Sequence, residues 1–80
     1  MAYELFHEVA QPASAQARKF VTEHQLGKHF RFRNIFYPEV QADFAARGGQ
    51  ELPAIWDGNA LIQGGEAVLA KLAQIRDGGG

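Results

Sequence analysis

The chain predicts an α/β domain with element order β-α-β-α-β-β-α, a four-stranded mixed sheet and helices on both of its faces. Three observations carry that reading. Segments alternating at period two are separated by segments with helical spacing. Asp57-Gly58 lies between two short apolar runs, a hairpin signal, because a type I′ turn needs positive φ. Gly64-Gly65 followed by Glu66-Ala67-Val68-Leu69 reads as a strand-to-helix turn with an acidic first helical turn. A helical crossover makes the first two strands parallel, and the hairpin adds an antiparallel pair. A ferredoxin-like split β-α-β would need a different order of elements.

Tyr3 to Val9 is rich in aromatic and β-branched residues and is assigned to a strand. Tyr3, Leu5, His7 and Val9 share one face, the better candidate for core, while Phe6 serves the other side with Glu4 and Glu8. Ala10 to Ser14 forms the first loop, where Pro12 suits a first helical turn because its missing N–H costs nothing there. From Ala13 to Leu26 the spacing is helical, with Ala13, Ala17, Phe20, Val21 and His24 inward and Gly27 as a left-handed cap. His29 to Ile35 alternates as a second strand, with Phe30 and Phe32 inward and Arg31 and Arg33 outward. Pro38 opens a second helix through Arg47, with Val40 and Phe44 inside and Asp43–Arg47 as an i,i+4 pair. Gly48-Gly49 ends it. Two short strands, Ala54–Trp56 and Ala60–Gln63, flank the hairpin. The last helix covers Glu66 to Arg76, with Val68, Leu69, Leu72 and Ile75 inward.

Eighty residues fit a single domain, assigned to 1–77 with 78–80 as a flexible glycine tail. With 46% hydrophobic residues, the chain has enough apolar material for one core. The sequence holds no cysteine, which excludes a disulfide, a cysteine zinc site and thiol redox chemistry of the chain's own. A net charge of -1 gives no electrostatic footprint for nucleic acid or a membrane surface. No apolar run approaches the ~20 residues of a membrane span, and no signal peptide is read at the start, so a cytoplasmic location is expected. His7, His24 and His29 lack metal-site spacing, so no metal is expected. Trp56 is assigned to the core or to covering a sheet edge.

Leu52-Pro53-Ala54-Ile55-Trp56-Asp57-Gly58-Asn59, with the Gly64-Gly65-Glu66 helix start after it, resembles the thioredoxin superfamily. The closest resemblance is to glutaredoxin-like proteins and the N-terminal domain of glutathione transferases, and it extends from Tyr3 to Ile75. It implies a thioredoxin (glutaredoxin-like) fold with a cis Leu52-Pro53 bond at the mouth of the third strand. It also implies a ligand groove beside that proline, at the start of the first helix. The family's Cys-Pro-x-Cys aligns with Gln11-Pro12-Ala13-Ser14, which keeps the proline and lacks both sulfurs. Read against a transferase Ser-Gln-Pro, the chain has Ala10-Gln11-Pro12. The transferase Glu-Ser pair falls on Gly64-Gly65, where glutaredoxins use backbone N–H groups to receive the γ-glutamyl carboxylate. The basic residue that glutaredoxins often place before their first cysteine falls near Glu8.

The resemblance therefore implies a candidate groove of Gln11, Pro12, Ser14, Leu52, Pro53, Gly64, Gly65 and Glu66, with no catalytic residue. Each has a plainer reading. Ser14 is then a small residue in a first helical turn, Gln11 a solvated loop residue, Pro53 a turn-former, and Gly64-Gly65-Glu66 helix-start electrostatics. Three functions stand: a redox-inactive binding or adaptor module for a protein or peptide; a glutathione-binding or transferase-like protein acting without its own cysteine; and a homo-oligomeric or interaction domain using a sheet edge or apolar helix face.

Overall fold

The computed structural model describes residues 2–79 and has four strands and three α-helices: β1 (Tyr3–His7), α1 (Pro12–Glu23), β2 (Phe30–Asn34), α2 (Pro38–Ala46), β3 (Ala54–Trp56), β4 (Leu61–Gln63) and α3 (Gly65–Gln74). The strand order is β2-β1-β3-β4. β1 runs parallel to β2, pairing Leu5 with Phe32, and antiparallel to β3, pairing Leu5 with Ile55. The sheet is therefore mixed, and β1 lies inside it.

Because successive residues of a strand face opposite ways, Leu5 and Phe6 seed two cores, and both are fully buried. On one face Leu5 and Ile55 pack with Ala17 and Val21 of α1 and Val68 and Leu72 of α3. On the other, Phe6 and Ala54 pack with Val40 of α2, and the rings of Phe6 and Phe44 lie 5.2 Å apart. Gly49 is needed there, since a Cβ on it would stand 2.5 Å from the Phe44 ring. The Leu52–Pro53 peptide bond is cis. Among the described residues no helix is long and apolar enough to cross a membrane.

Several boundaries differ from the sequence reading, each for a local reason. β1 stops at His7, and Val9 is 64% exposed in the loop beyond it rather than in the core. α1 ends at Glu23, and its left-handed residue is Gln25 (φ 56°), not Gly27. Gln25 N–H donates to Thr22 O and Leu26 N–H to Val21 O, the double bond of a Schellman stop. Burial of Leu26 beside Val21 fixes that stop, and Gly27 instead starts a 3₁₀ turn over Gly27–His29. His24 is exposed, its ring 4.3 Å from that of Phe20. The hairpin is a four-residue loop rather than a type I′ turn. Only Gly58 takes positive φ, while the Asp57 carboxylate accepts from the N–H groups of Asn59 and Ala60, both at 2.8 Å. β4 accordingly starts at Leu61. After Gln74 the chain leaves α3 in a wide turn over Ile75–Gly79 that includes most of the expected glycine tail; Gly80 lies outside the described residues.

The largest correction concerns β2. Phe30 packs against the first core and Arg31 is exposed as expected, but Phe32 is 46% exposed and Arg33 only 7%, the reverse of the expectation at those two positions. Arg33 lies on the Phe6 face, where its guanidinium donates to Glu4 of β1 and, at 2.7 Å, to Asp43 of α2. It also lies over the Phe6 ring, 5.3 Å from the centroid. Asp43 is thus taken by Arg33 rather than by Arg47. Arg47 instead donates to the second Glu4 oxygen at 3.1 Å and covers the Trp56 ring. Burial of a guanidinium is tolerable when two carboxylates neutralise it and its planar fork is filled.

Removing one partner of such a network leaves an uncompensated charge. Arg33→Ala is expected to cost about 2–4 kcal/mol in urea unfolding, and Arg33→Met combined with Glu4→Leu less than Arg33→Ala alone. A single-variant loss within the range of ordinary surface substitutions would contradict this assignment.

Candidate functional site

Two helix N-termini meet at the mouth of β3. Gln11 caps α1 and Pro12 occupies its first turn. Gly64, with φ 95°, caps α3, and its N–H donates to the Pro53 carbonyl at 2.9 Å. A Cβ on Gly65 would stand 3.2 Å from Ala13 Cβ, so the two first turns are in contact. The structure therefore brings Gln11, Pro12, Pro53, Gly64 and Gly65 into one neighbourhood. Leu52 enters it half-buried, and its backbone N–H and C=O carry no hydrogen bond among the described residues. Glu66 lies exposed in the first turn of α3.

Ser14 is placed differently from a ligand contact. It is fully buried, its hydroxyl donating to Gln11 Oε1 and accepting the Glu8 N–H at 3.1 Å. The hydroxyl thus closes the β1–α1 loop, and Gln11's carbonyl oxygen is engaged with it. Arg18 ties the same loop from α1, donating to the carbonyls of Glu8 and Val9 at 3.2 and 3.3 Å. Its guanidinium also donates to His7 Nδ1 at 3.2 Å. Since arginine can only donate, His7 is the neutral tautomer with its proton on Nε2. Burial, followed by the Arg18 charge, holds the His7 pKa below its ordinary value.

A second element escaped the sequence reading. Gln63 turns its side-chain oxygen onto the N–H groups of Gln50 and Glu51, at 2.7 and 3.0 Å, and its amide nitrogen onto Gly48 O. This bracket sets Glu51 beside the start of α3, where a Cβ on Gly64 would stand 2.8 Å from a Glu51 carboxylate oxygen. A carboxylate oxygen thus lies beside the α3 N-cap residue, though no side chain caps that helix among the described residues. A polar residue closing an apolar run was the available signal for Gln63, but its partners are more than ten residues away. A cavity of about 630 Å³ opens on the other side of the β1–α1 loop, lined by Glu8, Val9, Ala10, Asn34, Ile35, Phe36 and Gln41. It lies at the C-terminal ends of the two parallel strands, and the sequence reading had assigned nothing to it.

No protein-family model matches the sequence, and no curated protein does. The geometry alone defines the class: a small α/β domain with a mixed four-stranded sheet, in which two helix starts and a proline meet at the mouth of β3.

Two outcomes test this description. Ser14→Ala orphans the Glu8 N–H and should cost about 1–2 kcal/mol in urea unfolding; a neutral change would remove Ser14 from the loop's support. Unfolded His7 takes up its proton near pH 6.5, while folded His7 does so only at lower pH. The stability it confers is therefore complete above about pH 6.5 and lost as pH falls through its folded pKa. His7→Gln should flatten the decline in urea midpoint between about pH 6.5 and 5; an unchanged slope would assign that decline to another group.

Proposed function

We propose that this chain is a redox-inactive, glutaredoxin-like binding or adaptor module of the thioredoxin fold. Its groove runs over Gln11 and Pro12, Leu52-Pro53 and Gly64-Gly65, and its ligand is an extended protein or peptide segment. The observation that carries the reading is Leu52. Its N–H and C=O are free of internal hydrogen bonds beside two converging helix starts. A residue so placed offers one donor and one acceptor to an extended backbone, as in strand-addition recognition. The order β2-β1-β3-β4, with a parallel first pair and an antiparallel hairpin, supports the fold assignment. With no cysteine in the sequence, thiol–disulfide exchange has no nucleophile. Ser14 does not replace one, since its hydroxyl is buried and engaged.

Charge separates this reading from glutathione binding. The resemblance puts the γ-glutamyl carboxylate at the start of the last helix, where Glu51 already stands and Glu66 follows. A second anion there meets like charge, whereas a neutral peptide backbone does not.

The test is a ¹⁵N–¹H titration with reduced glutathione, an S-alkyl analogue, and extended peptides selected from a displayed library. Selected peptides are expected to shift the amides of Gln11, Leu52, Gly64 and Gly65 saturably, with no response to either thiol compound at millimolar concentration. Saturable glutathione shifts at those amides would replace this reading with a glutathione-linked one. Peptides that bind without moving Leu52 would remove the groove from the proposal.

A further inference from the structure

The geometry points to a homodimer in which the outer edge of β2 pairs, antiparallel, with the same edge of a second copy about a two-fold axis at Phe32. This does not depend on the groove, which lies at the mouth of β3. The hydrogen bond from Ile35 N–H to His7 O, at 2.9 Å, sets the parity of the strand. The N–H and C=O of one residue point to the same side of a strand, and successive residues alternate. Arg31 and Arg33 therefore face β1, while Phe30, Phe32 and Asn34 face outward, where β2 has no neighbouring strand.

Two of the six outward groups are satisfied within the chain: Phe30 N–H donates to Gly27 O, and Asn34 O accepts from Tyr37 N–H. Four remain without a partner among the described residues: Phe30 C=O, Phe32 N–H, Phe32 C=O and Asn34 N–H. A two-fold axis at Phe32 matches them completely. Phe32 exchanges both its bonds with the second copy's Phe32, and each Asn34 N–H meets a Phe30 C=O. The two bonds such a register leaves unmade, from each Phe30 N–H to the other copy's Asn34 C=O, join groups already satisfied internally on each copy. A foreign strand would lack that coincidence. Its groups facing Phe30 N–H and Asn34 C=O would be left unpaired, which carries a cost if they are buried. The edge is thus complementary to itself, as an isologous contact requires.

The side chains agree. Phe32, exposed at the centre of an edge where natural sheets usually set a charge, would lie against its own copy on the α1 face. On the opposite face Arg31 would stand beside the second copy's Arg33, whose charge is already held by Glu4 and the half-exposed Asp43.

Sedimentation equilibrium of the full chain over a wide concentration range, with amide hydrogen exchange on the same samples, tests this. A concentration-dependent dimer is expected, with exchange at Phe32 and Asn34 slowing as concentration rises. Phe32→Pro removes an N–H that the monomer does not use, so the fold is expected to survive while self-association weakens about tenfold or more. Phe32→Lys should produce the same loss without touching the backbone, and it decides the matter if the proline variant does not fold. A monomer at every concentration, with unchanging exchange at Phe32 and Asn34, overturns the proposal. So does a dimer indifferent to Phe32→Lys.

Discussion

A central strand buried on both faces is the constraint on which the rest of this structure depends. Leu5 and Phe6 fill opposite cores without exposure, so β1 has no wet side on which to place its polar residues. Two of them, Glu4 and His7, must find partners inside the protein, because a buried charge or ring nitrogen left unpaired is costly. Each is met by an arginine. Arg33 and Arg47 take Glu4, and Arg18 takes His7. Those arginines come from other elements, and each then reaches a further group. Arg33 continues to Asp43 and so fastens α2 to the sheet. Arg18 continues to the carbonyls of Glu8 and Val9 and so fastens the β1–α1 loop to α1. Polar satisfaction of one strand thus orders an element on each face of the sheet.

The same logic shapes the groove. The β1–α1 loop could not hold Gln11 and Pro12 against the start of α3 if it were free to move. Ser14 closes it from within and Arg18 ties its carbonyls, so the first turn of α1 is presented in a fixed place. On the far side Gln63 holds the segment from Gly48 to Glu51 with three hydrogen bonds. Between these supports, the backbone N–H and C=O of Leu52 carry no hydrogen bond among the described residues. Under the proposed reading, that backbone is what an extended partner pairs with.

Much of the fold was legible because the signals that carry it are local. Period-two runs marked β1 and β2, helical spacing marked α1 and α3, and Asp57-Gly58 marked the hairpin. The failures came where a distant residue decided the outcome. Nothing in Phe30-Arg31-Phe32-Arg33 announces that Arg33 is buried. That follows from Glu4, far away in sequence, and from the place of β2 at the sheet's edge, which leaves Phe32 half-covered. Gln25 rather than Gly27 takes the left-handed turn because Leu26 reaches the core, a packing fact that outranks glycine's intrinsic ease at positive φ. The mouth of β3 was legible in its backbone features, Pro53 and Gly64-Gly65, since proline and glycine mark geometry directly. It was illegible in its side chains, because Ser14, Gln63 and Glu51 take their positions from tertiary partners.

The two helix starts at the mouth of β3 also differ in how their polar groups are met. The N–H groups of a helix start attract negative charge. A carboxylate oxygen of the exposed Glu51, whose backbone N–H donates to Gln63, lies beside Gly64 at the α3 start. At the α1 start, Gln11 and Ser14 satisfy one another and the Glu8 N–H. Each helix start is thus bordered by polar groups of the chain's own. Under the proposed reading, recognition there rests on shape and backbone hydrogen bonding.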